Sequence, residues 1–166
     1  RDLVRSRGLG DVYKRQAYID PKKRGCYLCD LFPCVLACPS GALDHATKVV
    51  DDVKMGVAVL SNANACMCLK REKLSEESVE DLLVRKVYND REEAEKDKIK
   101  GKIGQICDLC VSICPVGDSA IVMSEANLPL IEHGCVGCGV CAEVCPVKII
   151  NIAPKMSYDE IYKEKE

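Results

Sequence analysis

Cys135, Cys138, Cys141 and Cys145 stand at gaps of two, two and three residues, with Pro146 directly behind the last. Four thiolates at that spacing suit the four iron corners of a [4Fe–4S] cubane. The two-residue gaps let a tight loop wrap three corners, and Gly137 and Gly139 can adopt the backbone angles such a loop needs. The gap between Cys141 and Cys145 is one helical turn, which puts both on one helix face. Pro146 gives up an N–H and fixes the chain as it leaves the site. In two-cluster proteins with this run, the cysteine before proline ligates the other cluster.

Two less regular runs precede it. Cys26, Cys29, Cys34 and Cys38 end before Pro39, with two extra residues in the middle gap, Phe32 and Pro33 among them. Cys107, Cys110 and Cys114 end before Pro115 and lack a first member. Cys66 or Cys68 can supply it across the long intervening stretch, because lengthening a loop adds little closure entropy. Three runs need twelve ligands and the chain has 13 cysteines, so one of Cys66 and Cys68 is spare. A disulfide scaffold fits poorly, since the total is odd and gaps this short make poor bridges. A zinc-binding structural protein fits the paired knuckles but not runs of four that close on Cys-Pro. His45 reads as a surface residue, because its run already has four cysteines. His133 reads as a packed or hydrogen-bonding residue, with tuning of the cluster potential as the second reading.

The elements that must position these loops are short. Val49-Val50 and Met55–Leu60 read as strands around an Asp51-Asp52 turn. Ala120–Met123, Leu128–Ile131 and Lys148–Ile152 read as strands entering and leaving the later loops. The repeated strand, cysteine loop, helix and strand is an internal repeat. It predicts an α+β, ferredoxin-like polyferredoxin built from units that pair about a pseudo-twofold. From Lys70 to Lys102, twenty of thirty-three residues are charged, ten of each sign. Leu74, Val79, Leu82, Leu83 and Val87 form a thin apolar stripe at helical spacing. That predicts a solvated helical excursion, with a docking helix for a partner as the alternative. The charged tail after Pro154 is expected to fray.

Composition limits the remaining choices. Aromatics are only 4% with no Trp, so an aromatic core is not what holds the chain together. The formal net charge is −2, and each oxidised cubane with four thiolates adds about −2 more. Nothing in that balance points to nucleic acid. No apolar run approaches the ~18 residues of a membrane span. No nucleophile–base set, phosphate loop or nucleotide fingerprint is present, and the radical-SAM spacing is absent, which argues for an electron carrier over an enzyme. Residues 1–16, RDLVRSRGLGDVYKRQ, are basic and have no apolar stretch behind them, unlike a signal peptide. They read as a foreign or disordered segment before a chain that starts near Ala17.

The stretches CYLCDLFPCVLACPSGALD and DDVKMGVAVL, the split run and GCVGCGVCAEVCP together resemble the ferredoxin-type proteins of periplasmic nitrate reduction (NapG) and methylamine utilisation (MauM). The resemblance covers about residues 17–153, and the 70–102 insertion is longer than that family usually shows. It implies four cysteine runs, of which the first lies upstream and is missing, along with an export signal. Carried over from related polyferredoxins, the middle runs pair together and the outer runs pair together. One cluster then takes Cys26, Cys29, Cys34 and Cys114, and a second takes Cys66, Cys107, Cys110 and Cys38. The third takes Cys135, Cys138 and Cys141, with Cys145 serving the missing cluster. The ungapped match after MGVAVL favours Cys66 over Cys68. The domain expectation is one module at 17–124, a second at 125–153, and a tail at 154–166. The resemblance further implies a periplasmic protein that carries electrons from a quinol-oxidising membrane partner towards a reductase. An iron–sulfur subunit of another respiratory or redox complex is the alternative.

Overall fold

The computed structural model describes residues 20–163, so the segment 1–16 lies outside the described residues. The first cysteine run holds a single turn of helix, α1 (Pro33–Leu36), opened by Pro33 at its first position, where a missing N–H costs nothing. Val49 and Val50 do not form a strand. The Asp52 carboxylate accepts from the N–H groups of Lys48 and Val49 at 2.8 and 3.1 Å, closing a 3₁₀ turn over Val50–Asp52. The chain then extends as β1 (Gly56–Leu60).

The charged excursion forms two helices, α2 (Glu76–Val84) and α3 (Asp90–Lys102). Ser75 caps the first by accepting from Ser78 N, and Asn89 caps the second by accepting from Glu92 N. Acidic residues fill the first turn of α3 and lysines its last, which complements the helix dipole. The excursion is helical with its charged face in solvent, as expected, and its apolar stripe is turned inward. Leu74, Val79, Leu82 and Ile99 are buried in one core with Tyr27, Leu109, Ile113 and Val140. The thin stripe is enough, because the rest of the molecule supplies the other half of that core.

Beyond the excursion come α4 (Leu109–Ser112), β2 (Ile121–Met123) and β3 (Pro129–Ile131). They are followed by α5 (Val140–Val144), β4 (Ile150–Pro154) and α6 (Tyr158–Tyr162). The strands make two antiparallel pairs. β1 lies on β4, Gly56 opposite Pro154 and Leu60 opposite Ile150, and β2 lies on β3, Ile121 opposite Ile131. The expected module boundary at 124/125 falls in the turn of the β2–β3 hairpin. A second core joins Val57 and Ala58 of β1 to Ile121, Ile131, Ala142 and Ile150, with Cys66, Cys68, Cys141 and Cys145 among them. The tail is ordered through α6, where Ser157 accepts from Glu160 N and the Glu160 carboxylate accepts back from Ser157. Among the described residues no helix is long and apolar enough to cross a membrane.

Candidate metal centres

The loop of the last run is shaped by backbone contact. Gly137 has φ +70, and a Cβ there would sit 2.5 Å from the carbonyl carbon of Gly56. Only a residue without a side chain lets the loop lie on the first residue of β1. Cys135, Cys138 and Cys141 line a cavity under this contact, and the fourth cysteine lining it is Cys114. Apolar walls come from Ala58, Ile121, Ile131 and Ile152. The backbone N–H of Ala58 donates to Cys135 Sγ at 3.4 Å, the kind of bond that tunes a thiolate ligand.

A second cavity lies behind α4 and α5. It is lined by Cys66, Cys68, Cys107, Cys110 and Cys145, with Pro129, Pro146 and Ile149 among its walls. Each cavity thus draws its cysteine before proline from the opposite half of the chain. The expected sets differ from this arrangement in three places. Cys114 faces Cys135, Cys138 and Cys141 rather than the first run. Cys145 lines the cavity of Cys66, Cys68, Cys107 and Cys110. Cys38 faces neither cavity. The strand pairing accounts for the difference: β1 on β4 and β2 on β3 fold the Cys66–Cys114 stretch onto the Cys135–Cys145 stretch. The nested pairing carried over from the resemblance would instead join the Cys66–Cys114 unit to the first run.

The thiols interact within these groups. Desolvation, then the thiols of Cys145, Cys66 and Cys68, push Cys107 up to about 11. Desolvation and the neighbouring Cys107, Cys145 and Cys66 raise Cys110 well beyond the usual thiol range. Cys138 is pushed up to about 12 by burial first and by Cys114, Cys135 and Cys26 after it. Burial and the thiols of Cys138, Cys135, Cys110 and Cys114 raise Cys141 strongly. Cys141 therefore touches the electrostatics of both cavities, which lie back to back. Cys66 perturbs both Cys107 and Cys110, whereas Cys68 sits near Asp108 and directs its sulfur at Met123 Sδ, 3.8 Å away.

The first run is built differently. Leu28 stands where Gly137 stands in the last run, and it takes the same left-handed backbone at φ 49, followed by Leu31 at 62 and Phe32 at 42. Leu28, Phe32 and Val35 bury their side chains as a small core against Met55 and Val136, which offsets the backbone strain. Cys29 and Cys34 lie close enough to Cys26 to raise its pKa, after desolvation has done so first. Cys34 is exposed. Cys38 turns away into the Ser40–Leu43 loop, where the Ser40 hydroxyl and then the Leu43 backbone lower it to about 7. His45 Nε2 contacts the Cys38 carbonyl at 3.0 Å, a role in loop structure. His133 is stacked on Tyr158 and lies 3.6 Å from Asp159.

Among the described residues, no three His, Cys, Asp or Glu side chains close on one point, as a single metal ion would require. The thiols instead ring two voids with nonpolar walls, which fits a multi-iron cluster with one cysteine at each corner. Cys114, Cys135, Cys138 and Cys141 would hold one such group. Cys107, Cys110 and Cys145 would hold the other, with Cys66 or Cys68.

Comparison with known proteins points to 4Fe-4S clusters as the kind of group these cysteines hold. The 4Fe-4S binding domain family matches residues 129–151, the stretch with the regular spacing. The chain's curated homologues are the NapG and MauM ferredoxin-type proteins. The MauM ferredoxin-type protein of Paracoccus denitrificans is 27% identical over 136 residues, which is 77% of this chain and 46% of that protein. NapG of Escherichia coli is 29% identical over 131 residues, 72% of this chain and 42% of its own. NapG of Haemophilus influenzae is 24% identical over 159 residues, 88% and 45%. The chain spans about half the length of these relatives. No solved structure matches it. NapG and MauM likeness, the 4Fe-4S domain and an α+β ferredoxin-type fold support an iron–sulfur electron-transfer role.

Several residues that shape the sites carry no motif. Ala58 acts through its backbone N–H, which any residue but proline offers. Tyr162 donates its hydroxyl to the Ala58 carbonyl at 2.9 Å, and nothing in the charged tail signals this. Glu143 sits between two ligand cysteines, yet its burial follows only from the packing of α5.

Proposed function

We propose that the chain is an electron carrier with two self-sufficient [4Fe–4S] sites, one of Cys114, Cys135, Cys138 and Cys141, the other of Cys66, Cys107, Cys110 and Cys145. The observation that carries this reading is the pair of back-to-back cavities, each ringed by at least four thiols drawn from both halves of the chain. When bound, such a group accepts and releases one electron at a time. The residues do the rest. Leu109, Val140 and Val144 bury the helices between the sites and keep water out. The Ala58 N–H stabilises the sulfur of Cys135. Cys26, Cys29 and Cys34 form a third site whose fourth thiolate comes from elsewhere, and Cys38 is the ligand offered in return.

The relatives are named ferredoxin-type proteins, MauM among them as one of methylamine utilisation, which supports reading this chain as part of an electron-transfer chain. We place it in the periplasm, between a quinol-oxidising membrane partner and a reductase, without a substrate site of its own. Anaerobic reconstitution with iron and sulfide tests the core of this. About eight irons and eight sulfides should bind to the thiols between Cys66 and Cys145, four of each per cubane, with a broad visible absorption that bleaches on reduction. Stoichiometric zinc in the purified protein and no such absorption would sink the reading.

A further inference from the structure

The excursion between Cys68 and Cys107 reaches across the molecule to the first cysteine run. Arg85, at the end of α2, has a side chain only 10% exposed. One guanidinium nitrogen pairs with Glu143 Oε1 and another donates to the Tyr27 hydroxyl at 2.7 Å. Glu143, 1% exposed on α5, also accepts from Gly25 N at 2.7 Å and from the Tyr27 hydroxyl at 3.0 Å. From α3, Arg91 donates to the carbonyls of Tyr27 and Leu28 at 3.0 and 2.9 Å and pairs with Asp30 at 2.8 Å. Arg24 pairs with the buried Glu92 at 2.6 Å. Residues 24–30, which carry Cys26 and Cys29, are therefore gripped from both sides.

The result is a backbone-to-backbone contact. Cys26 N–H donates to the Cys138 carbonyl at 2.6 Å. A Cβ on Gly25 would lie 2.6 Å from Val140 N, so no side chain fits between the two loops. Exposed ion pairs hold geometry weakly. The Arg91–Asp30 pair is of that exposed kind, but Arg85 meets Glu143 in the interior, Arg24 meets a buried Glu92, and Arg91 also ends on two main-chain carbonyls, where a planar guanidinium fixes direction as well as distance. Arg91 bonds to the backbone of Tyr27 and Leu28, the first of which packs in the main core and the second in the small core of the first run, so it fixes where the chain between Cys26 and Cys29 runs.

We propose that the charged excursion is a strap that positions the Cys26, Cys29 and Cys34 thiols against the Cys135, Cys138 and Cys141 set, with the Cys26–Cys138 hydrogen bond as the electron-transfer joint between the groups they hold. This rests on the iron–sulfur reading above. Crossing the joint oxidises one group by one electron and reduces the other by one, with no bond made or broken. Arg85 and Arg91 are positioning residues.

The test uses the full chain, reconstituted without oxygen from ferrous iron and sulfide in excess β-mercaptoethanol, whose thiolate can take the fourth corner of the first site. Iron per chain and the electron paramagnetic resonance spectrum of the dithionite-reduced protein are read. Cys29→Ser should remove about four irons and a spin–spin splitting present in the parent. Arg85→Gln and Arg91→Gln should keep the parent's iron and lose that splitting. Arg91 is partly exposed, so its variant should fold even where Arg85→Gln does not. An unchanged splitting in folded, fully loaded Arg91→Gln overturns the strap. A parent with no more iron than Cys29→Ser, or with the same splitting, overturns the joint. About eight irons in Cys29→Ser would leave the two-site reading standing in either case.

Discussion

Ala58 faces Cys135 with its N–H, 3.4 Å from the sulfur, while its carbonyl accepts the Tyr162 hydroxyl at 2.9 Å. One residue of β1 thus connects a ligand to the C-terminal helix. Tyr162→Phe removes the second bond and keeps the ring. We expect a loss of about 1 kcal/mol in denaturant unfolding and a lower potential at one site only, as the Ala58 N–H loosens from the sulfur. Equal stability and potential in both proteins would show that α6 does not hold β1.

Exchange of ligands between the two halves is tested by counting iron. Cys114→Ser and Cys145→Ser should each lose about four irons from the thiols between Cys66 and Cys145, and Cys38→Ser none. Cys38 should also remain open to iodoacetamide in the loaded protein. Its rate should rise to a plateau through pH about 7, where the Ser40 hydroxyl places it. Protection of Cys38 on loading would restore its pairing with Cys66, Cys107 and Cys110.

Cys66 and Cys68 both line the second cavity, but only Cys66 perturbs Cys110. Cys66→Ser should therefore lose one cluster and Cys68→Ala none. Mapped by iron analysis and visible absorption, the opposite pattern would make Cys68 the ligand.

The metal-free chain should be sensitive to alkali. Cys107 is raised from 9.0 to about 11 and Cys138 from 9.0 to about 12. The unfolded chain ionises first as pH rises, so it is the unfolded state that gains. Stability from these thiols is complete below pH 9.0 and is lost as pH climbs through 11 and 12. Because ligands bind as thiolates, loading expels these protons, and the loaded protein should lack the alkaline transition. Circular dichroism of the two forms against pH checks both halves of this expectation.

How much of this was legible beforehand depends on the kind of signal. The iron–sulfur character of the cysteine runs was readable because ligand spacing is local. Strands at Ile121–Met123 and Pro129–Ile131 were readable from short apolar runs between turns. Val49-Val50 was misread because a carboxylate three residues ahead, at Asp52, offered a better partner than a neighbouring strand. The excursion's helices and the stripe of Leu74, Val79 and Leu82 were readable from spacing, but that the stripe packs with Ile99 against Tyr27, Leu109 and Val140 was not, because the other half of that core lies far off in sequence. Which stretches the fold brings together was not readable from the cysteines. The register of β1 on β4, in which Val57 lies opposite Ala153, is a long-range fact with no local trace.

The order of the ligands along the chain has a consequence for synthesis. One thiol set closes with Cys141 and the other with Cys145, each needing residues made much earlier. A ribosome releases all of the excursion before either set can be completed, and Arg85 waits, cationic and unpaired, until Glu143 has emerged. Metal insertion into the two proposed sites therefore waits until α5 has emerged. Any nascent chain stalled before α5 carries a row of free thiols with nothing to protect them from oxidation.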